Sequence, residues 1–312
     1  MTTVHHDIHV IDTGFVRPRL DAAYLLVEKG RGAFIDCGVN HSVPRLMGAL
    51  GAAGLSAADV DWLILTHVHL DHAGGAGELM RHLPHARLVV HPRGARHMID
   101  PSRLWAGATA VYGETEMQRS YGRLVPVPAE RVIEAPEGHE VDLAGRRLVC
   151  LDTPGHARHH NAIHDPASGC VFTGDAFGVS YREFDTGQGQ FIVPATSPVE
   201  FDPEAMHRSI DRVLALQPVA IYPTHFGRIA PPAALARELH AQIDAMVAIA
   251  LTASHWVRAG RHAALRTGLR QLYASRAARH GWRGADDELD RLLAIDIELN
   301  AQGLAVWLDQ RA

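Results

Sequence analysis

The run Thr66-His67-Val68-His69-Leu70-Asp71-His72-Ala73-Gly74-Gly75 constrains this chain more than any other segment, because it follows directly on the apolar strand signal Trp62 to Leu65. A strand that runs into His67, His69, Asp71 and His72 must bring its end to the rim of a core, where a loop can carry chemistry. His67 and His69 are two apart, so an extended backbone points both to one side. Asp71 and His72 stand where a helix should open, which turns them toward a second nearby point. Gly74 and Gly75 allow the tight backbone of that turn. Neutral imidazoles with a carboxylate are the donor set of zinc and similar divalent ions.

Three further segments repeat the pattern. Leu151-Asp152-Thr153-Pro154-Gly155-His156 reads as a strand end, a turn and a histidine; Phe172-Thr173-Gly174-Asp175 as a strand end and an aspartate; Tyr222-Pro223-Thr224-His225 as a strand end and a histidine. Strand signals also fall at Ile8 to Asp12, Ala23 to Val27, Ala33 to Ile35, Trp62 to Thr66, Arg87 to His91, Arg147 to Leu151, Cys170 to Thr173 and Val219 to Tyr222. Helical periodicity is read at Ser42 to Leu50, from Asp71 through Leu83, in the segment Arg96 to Tyr121, and after the helix start Asp202-Pro203. The alternation predicts an α/β fold in layers. After Pro231-Pro232 the apolar residues recur only at helical spacing, which predicts a catalytic domain over 1–230 and a C-terminal helical extension over 231–312.

A net charge of -5 argues against a broad grip on nucleic acid or an anionic membrane surface. No run nears ~20 uninterrupted apolar residues, so no membrane span is expected. Met1 to Asp7 lacks a basic segment followed by an apolar one, so no signal peptide is expected. Cys37, Cys150 and Cys170 are odd in number and form no C-x-x-C pair, which fits a reducing, cytoplasmic setting. The expected partner is a small-molecule substrate, and self-association into a homo-oligomer is compatible with this composition.

H-x-H-x-D-H, then G-H, G-D and T-H in this order, over about Asp12 to His225, resembles the metallo-β-lactamase superfamily, in particular its glyoxalase II-like branch. The resemblance implies an αβ/βα four-layer sandwich of two mixed β-sheets with metals at one edge. It implies that His67, His69 and His156 hold a first metal, that Asp71, His72 and His225 hold a second, and that Asp175 bridges both. The cofactors expected are two divalent ions, zinc first, with iron and manganese as alternatives. True zinc β-lactamases carry a cysteine where Asp175 stands, so antibiotic hydrolysis is not expected. Glyoxalase II binds glutathione through basic residues that include lysines, whereas Lys29 is the only lysine here.

Two ions about 3.5 to 4 Å apart share a hydroxide and lower the pKa of its parent water. The expected reaction is hydroxide attack on an ester, thioester, lactone or amide carbonyl, with Asp71 or Asp175 relaying a proton. Two alternatives use the same ligands: a non-haem iron dioxygenase of the persulfide dioxygenase type, and a non-catalytic metal-binding protein. Among lesser candidates, Asp36 is read either as an acceptor that orients a ligand histidine or as a turn residue, and Asp12 as a turn residue. His159 and His160 either line the pocket or face solvent, and Tyr181 either serves an oxyanion or simply packs. Trp105, Tyr112 and Met117 are read as a lid, and Arg103, Arg119, Arg123 and Arg182 as contacts for an anionic substrate.

Overall fold

In the computed structural model, which describes residues 5–256 and 258–311, the first half of the chain builds a six-stranded sheet. Its strands are β1 (Ile8–Asp12), β2 (Ala22–Glu28), β3 (Arg31–Ile35), β4 (Val60–Ile64), β5 (Arg87–Val90) and β6 (Val132–Glu134), in that spatial order. β1, β2 and β3 pair antiparallel, the last two through the tight turn at Lys29-Gly30, while β3 to β6 run parallel. Parallel pairing demands crossovers. These are supplied by α1 (Val43–Ala52), by α2 (Leu70–Ala73) with α3 (Ala76–His82), and by α4 (Pro92–Ile99), α5 (Ser102–Tyr112) and α6 (Glu114–Ser120).

Side-chain alternation decides what each face covers. Leu25, Phe34, Leu63 and Leu88 share one core with Leu46 and Leu50 of α1, Leu79 and Met80 of α3, and Met98 of α4. The alternate residues Tyr24, Ile35, Ile64 and Val89 are buried too, as expected of strands covered on both faces. Their cover is a second sheet of β7 (Glu140–Leu143), β8 (Arg146–Asp152), β9 (Asn161–Asp165), β10 (Cys170–Gly174) and β11 (Ala220–Pro223), ordered β11-β10-β9-β8-β7. Tyr24 of β2 meets Phe172 of β10 and Tyr222 of β11 with ring centroids 5.2 and 5.3 Å apart, which joins the two sheets through one aromatic cluster. The α/β sandwich of two sheets with flanking helices is therefore the fold, followed by C-terminal helices.

Two compact units make up the chain. The first, Met1–Asp152, His159–Gly174 and Ile221–Arg228, holds both sheets save Ala220 at the start of β11. The second, Thr153–Arg158, Asp175–Ala220 and Ile229–Ala312, holds α7 (Pro203–Ala215), α8 (Pro232–Ala253), α9 (Arg258–Arg279) and α10 (Asp286–Asp309). Asp202 caps α7 by accepting from Ala205 N at 2.9 Å, with Pro203 at the first helical position.

Three local expectations change. The strand read as Trp62 to Thr66 ends at Ile64, because Thr66 N turns out of the ladder to donate to the Asp36 carboxylate. The single helix read from Asp71 through Leu83 is two helices, separated at Gly74-Gly75. Both glycines have negative φ; what position 75 needs is space, since a Cβ there would sit 2.7 Å from the Val39 carbonyl oxygen. Strands β6, β7 and β9 carried no signal that separated them from loops.

Candidate metal centre

The first unit assembles five of the seven residues singled out by sequence. β4 delivers Thr66 and His67 from the sheet, His69 precedes the first turn of α2, and Asp71 and His72 lie within that turn. His225 arrives at the end of β11. The donor atoms of Asp71, His72 and His225 all lie within 4.8 Å of one another. Asp71 Oδ2 is 3.4 Å from His225 Nε2 and 3.8 Å from His72 Nε2. His67 Nε2 is 2.9 Å from His69 Nδ1, and the His67 ring centroid is 3.9 Å from that of His72. His67 and His72 are fully buried, whereas the Asp71 side chain is 26% exposed.

Asp36 organises this group, which settles its two sequence readings in favour of orientation. It sits at the end of β3 with φ of 54°, a left-handed backbone that aims its carboxylate inward. Its oxygens accept from Thr66 N at 2.8 Å, Thr66 Oγ1 at 2.7 Å and Thr224 Oγ1 at 3.0 Å, and lie 3.0 Å from His72 Nδ1. The imidazole therefore carries its proton on Nδ1 and presents the Nε2 lone pair toward Asp71. His225 is held the same way, with Nδ1 2.7 Å from the Leu20 carbonyl oxygen. Sequence reasoning passed over Leu20 and its neighbour Asp21. The Asp21 carboxyl is pushed up to about 7 by burial, against the pull of His225 and His72.

His160 is fully buried with its ring 4.9 Å from that of His67, and His159 packs edge-on against His69 at 5.4 Å. Both stand at the wall of the group, His160 inside it and His159 partly exposed. Gly174 ends β10 against this wall, where a Cβ would meet His160 Nε2 at 2.5 Å. Met117 is buried with Leu70, Tyr121 and Leu124, and Trp105 packs on them, so the segment read as a lid covers the helix that carries Asp71. The Tyr112 side chain lies outside the described residues. Asp12 accepts from Gly14 N and Arg19 N in a turn, and Arg119 pairs with Glu116 along its own helix.

The second unit carries the other two residues. His156 and Asp175 are both buried, with His156 Nε2 3.5 Å from Asp175 Oδ2. Ser209 of α7 donates to the Pro154 carbonyl at 2.6 Å, and Asp202 N donates to the Gly155 carbonyl at 2.9 Å, which fixes the turn before His156. His156 Nδ1 is 3.0 Å from the Ala195 carbonyl oxygen. Asn300, buried on α10, brackets that residue: its Oδ1 accepts from Thr196 N at 2.7 Å and its Nδ2 donates to the Pro194 carbonyl at 3.0 Å. Tyr181 is packed, with its hydroxyl donating to Asp296 of α10 at 3.0 Å. No sequence pattern singled out Asn300, because it stands 144 positions from His156 in an ordinary amphipathic helix.

Residues 16–225 match the model of the metallo-beta-lactamase superfamily. A metallo-beta-lactamase fold-containing protein of Sulfurisphaera tokodaii is 29% identical over 230 residues, covering 72% of this chain and 80% of that one. A hydroxyacylglutathione hydrolase of Aeromonas hydrophila is 29% identical over 164 residues, covering 52% of this chain and 46% of that enzyme, so the match spans about half of either. A crystal structure of an archaeal metallo-beta-lactamase superfamily protein from Sulfolobus tokodaii superposes with a TM-score of 0.67 at 24% identity, covering 96% of this chain and 99% of that one. A metallo-beta-lactamase family protein from Thermus thermophilus gives a TM-score of 0.68 at 23% identity, covering 99% and 94%.

Proposed function

From the premise that the chain belongs to the metallo-beta-lactamase superfamily, we propose that it is a dinuclear metal-dependent hydrolase of an ester, thioester, lactone or similar carbonyl. The observation that carries this reading is the Asp71, His72 and His225 group, whose donor atoms lie within 4.8 Å and whose imidazoles are each fixed through Nδ1. Such a donor set, with its tautomers chosen by outer acceptors, fits a divalent ion. In this reading His67, His69 and His156 hold one metal, Asp71, His72 and His225 the other, and Asp175 serves both.

Bound there, the ions would supply a hydroxide nucleophile at neutral pH and polarise the carbonyl oxygen. The chain's own residues do the rest. Asp36 keeps His72 in one tautomer, and the Leu20 carbonyl does the same for His225. Asp71, partly exposed, takes up and returns the proton on the substrate side, with Asp175 as the second carboxylate of the site. Buried His67 and His160 exclude bulk water from one wall. The hydroxyacylglutathione hydrolases among the relatives support a thioester within the carbonyl class. Zinc leads as the metal, with iron and manganese behind it. A small-molecule substrate is the proposed partner, and the buried free thiols of Cys37, Cys150 and Cys170 support a cytoplasmic setting. Among the described residues no helix is long and apolar enough to cross a membrane.

The test is turnover of purified, metal-analysed protein on a panel of thioesters, lactones and phosphodiesters. His67→Ala abolishes metal-dependent turnover; retained activity removes the assignment. Oxygen consumption by iron-loaded protein would move the chain to the dioxygenase reading, and bound metal without turnover on the whole panel to a binding protein.

A further inference from the structure

The second unit contains a cavity of about 300 Å³, lined by the loop at Gln190, the first turn of α8 and the end of α9. Small-molecule sites begin at roughly this size. Its walls carry three arginines, Arg237, Arg276 and Arg279, against one carboxylate, Glu238, an excess of two positive charges. Arg276 Nη1 pairs with Glu238 Oε2 at 3.0 Å, while Arg237 and Arg279 are exposed. α8 starts at Pro232 with Pro231 at its N-cap and no capping side chain. The N–H groups of its first turn therefore lack helical acceptors and add the positive end of a 22-residue helix. Arg276 and Arg279 also offset the negative end of α9, so charge alone does not make a site.

Two buried atoms supply what charge does not. Gln242 lines the cavity and is fully buried, and its Nε2 donates to the Ile192 carbonyl at 2.8 Å. That bond fixes the amide, because the flipped form would set two oxygens against each other. Gln242 Oε1 is then left with no hydrogen-bond partner among the described residues, and Arg276 Nε has none either. Buried polar atoms of a native fold find partners. These two, on the wall of one cavity, ask for opposite kinds: Oε1 for a hydrogen donor, Nε for an acceptor. Both atoms are sealed from solvent, so a bound molecule engages them through a small turn of each side chain.

We propose that this cavity binds a small organic anion that carries a hydroxyl beside its charged group, a hydroxycarboxylate or a phosphate monoester. The charged group lies between Arg276, Arg279 and the first turn of α8, where guanidinium and backbone N–H both suit an oxyanion. The hydroxyl donates to Gln242 Oε1. The site shares no residue with the seven ligands proposed above and does not depend on the hydrolase reading.

Calorimetric titration of the full chain with two matched pairs tests the site: L-malate against succinate, and glycerol 3-phosphate against propyl phosphate. Each pair keeps its charged groups and differs in hydroxyls, and the tighter pair tells a carboxylate site from a phosphate site. The hydroxylated member is expected to bind about 10-fold tighter than its partner. Gln242→Leu is expected to erase that preference and keep the weaker binding, whereas Arg276→Gln weakens both members of the pair by about 10-fold or more. Arg279→Ala changes an exposed side chain and is expected to weaken both by a few-fold, which covers the case in which a buried substitution does not fold. Three results overturn the proposal: binding of neither pair, equal affinity within both pairs, or affinities that are the same in the unaltered chain and the folded variants.

Discussion

The His72 imidazole and the Asp36 carboxylate are coupled across 3.0 Å of buried interior, and the same carboxylate receives Thr66 and Thr224. One side chain at the end of β3 therefore ties β4, the first turn of α2 and the end of β11 to a common point. Asp36→Asn keeps the shape but removes the charge and half of the acceptor capacity. It is expected to weaken metal binding by about 10–100-fold and to lower stability by about 2–4 kcal/mol. Metal titration and urea unfolding of the same preparation check both numbers.

Asn300 holds the segment that fixes His156. Its Nδ2 also meets the Tyr273 hydroxyl at 2.6 Å, so Asn300→Ala strands buried groups on Pro194, Thr196 and Tyr273 together. The loss is expected at about 2–5 kcal/mol, read from the urea midpoint. Tyr273→Phe, which removes a single partner, is expected to cost about 1 kcal/mol.

Gly155 has φ of 129°, and a Cβ there would stand 2.4 Å from the Met206 backbone nitrogen. Gly155→Ala must strain the turn and push back the start of α7, at a cost of about 3 kcal/mol or more. A Tm within experimental error of the unaltered chain would contradict this account of the turn.

A pH dependence follows from His91, which accepts from Arg93 N at 3.1 Å and so caps α4 through Nδ1. Burial lowers its pKa, with Asp152 pulling the other way. Because the folded chain favours the neutral ring, the unfolded chain takes up the proton first. The contribution of His91 is therefore present above its ordinary value of 6.5 and lost as pH falls through the lower folded value. His91→Asn keeps a capping oxygen that does not titrate, and its urea midpoint is expected to fall less between pH 7 and 5 than that of the unaltered chain.

What was legible in the sequence divides along physical lines. Strands covered on both faces, such as β2 and β10, could be read because each is a short apolar run of strand-favouring residues bounded by turn residues. Val132–Glu134 is only three residues long, and the alternation of Glu140–Leu143 runs over only four, too few for either to stand out from a loop. The H-x-H-x-D-H run shows its chemistry because its donors are neighbours in the chain. The residues that aim those donors were harder to see, since an acceptor can come from anywhere in the fold. Asp36 was half visible as a carboxylate after a strand, while Leu20 acts through a backbone carbonyl, which any residue type supplies.

The most direct measurement is the metal content and turnover of His72→Ala and His225→Ala beside the unaltered chain, after dialysis against a weak chelator that strips surface ions. The account predicts the loss of about one equivalent of metal in each variant, together with loss of carbonyl hydrolysis. Unchanged metal content with full turnover in either variant would contradict it.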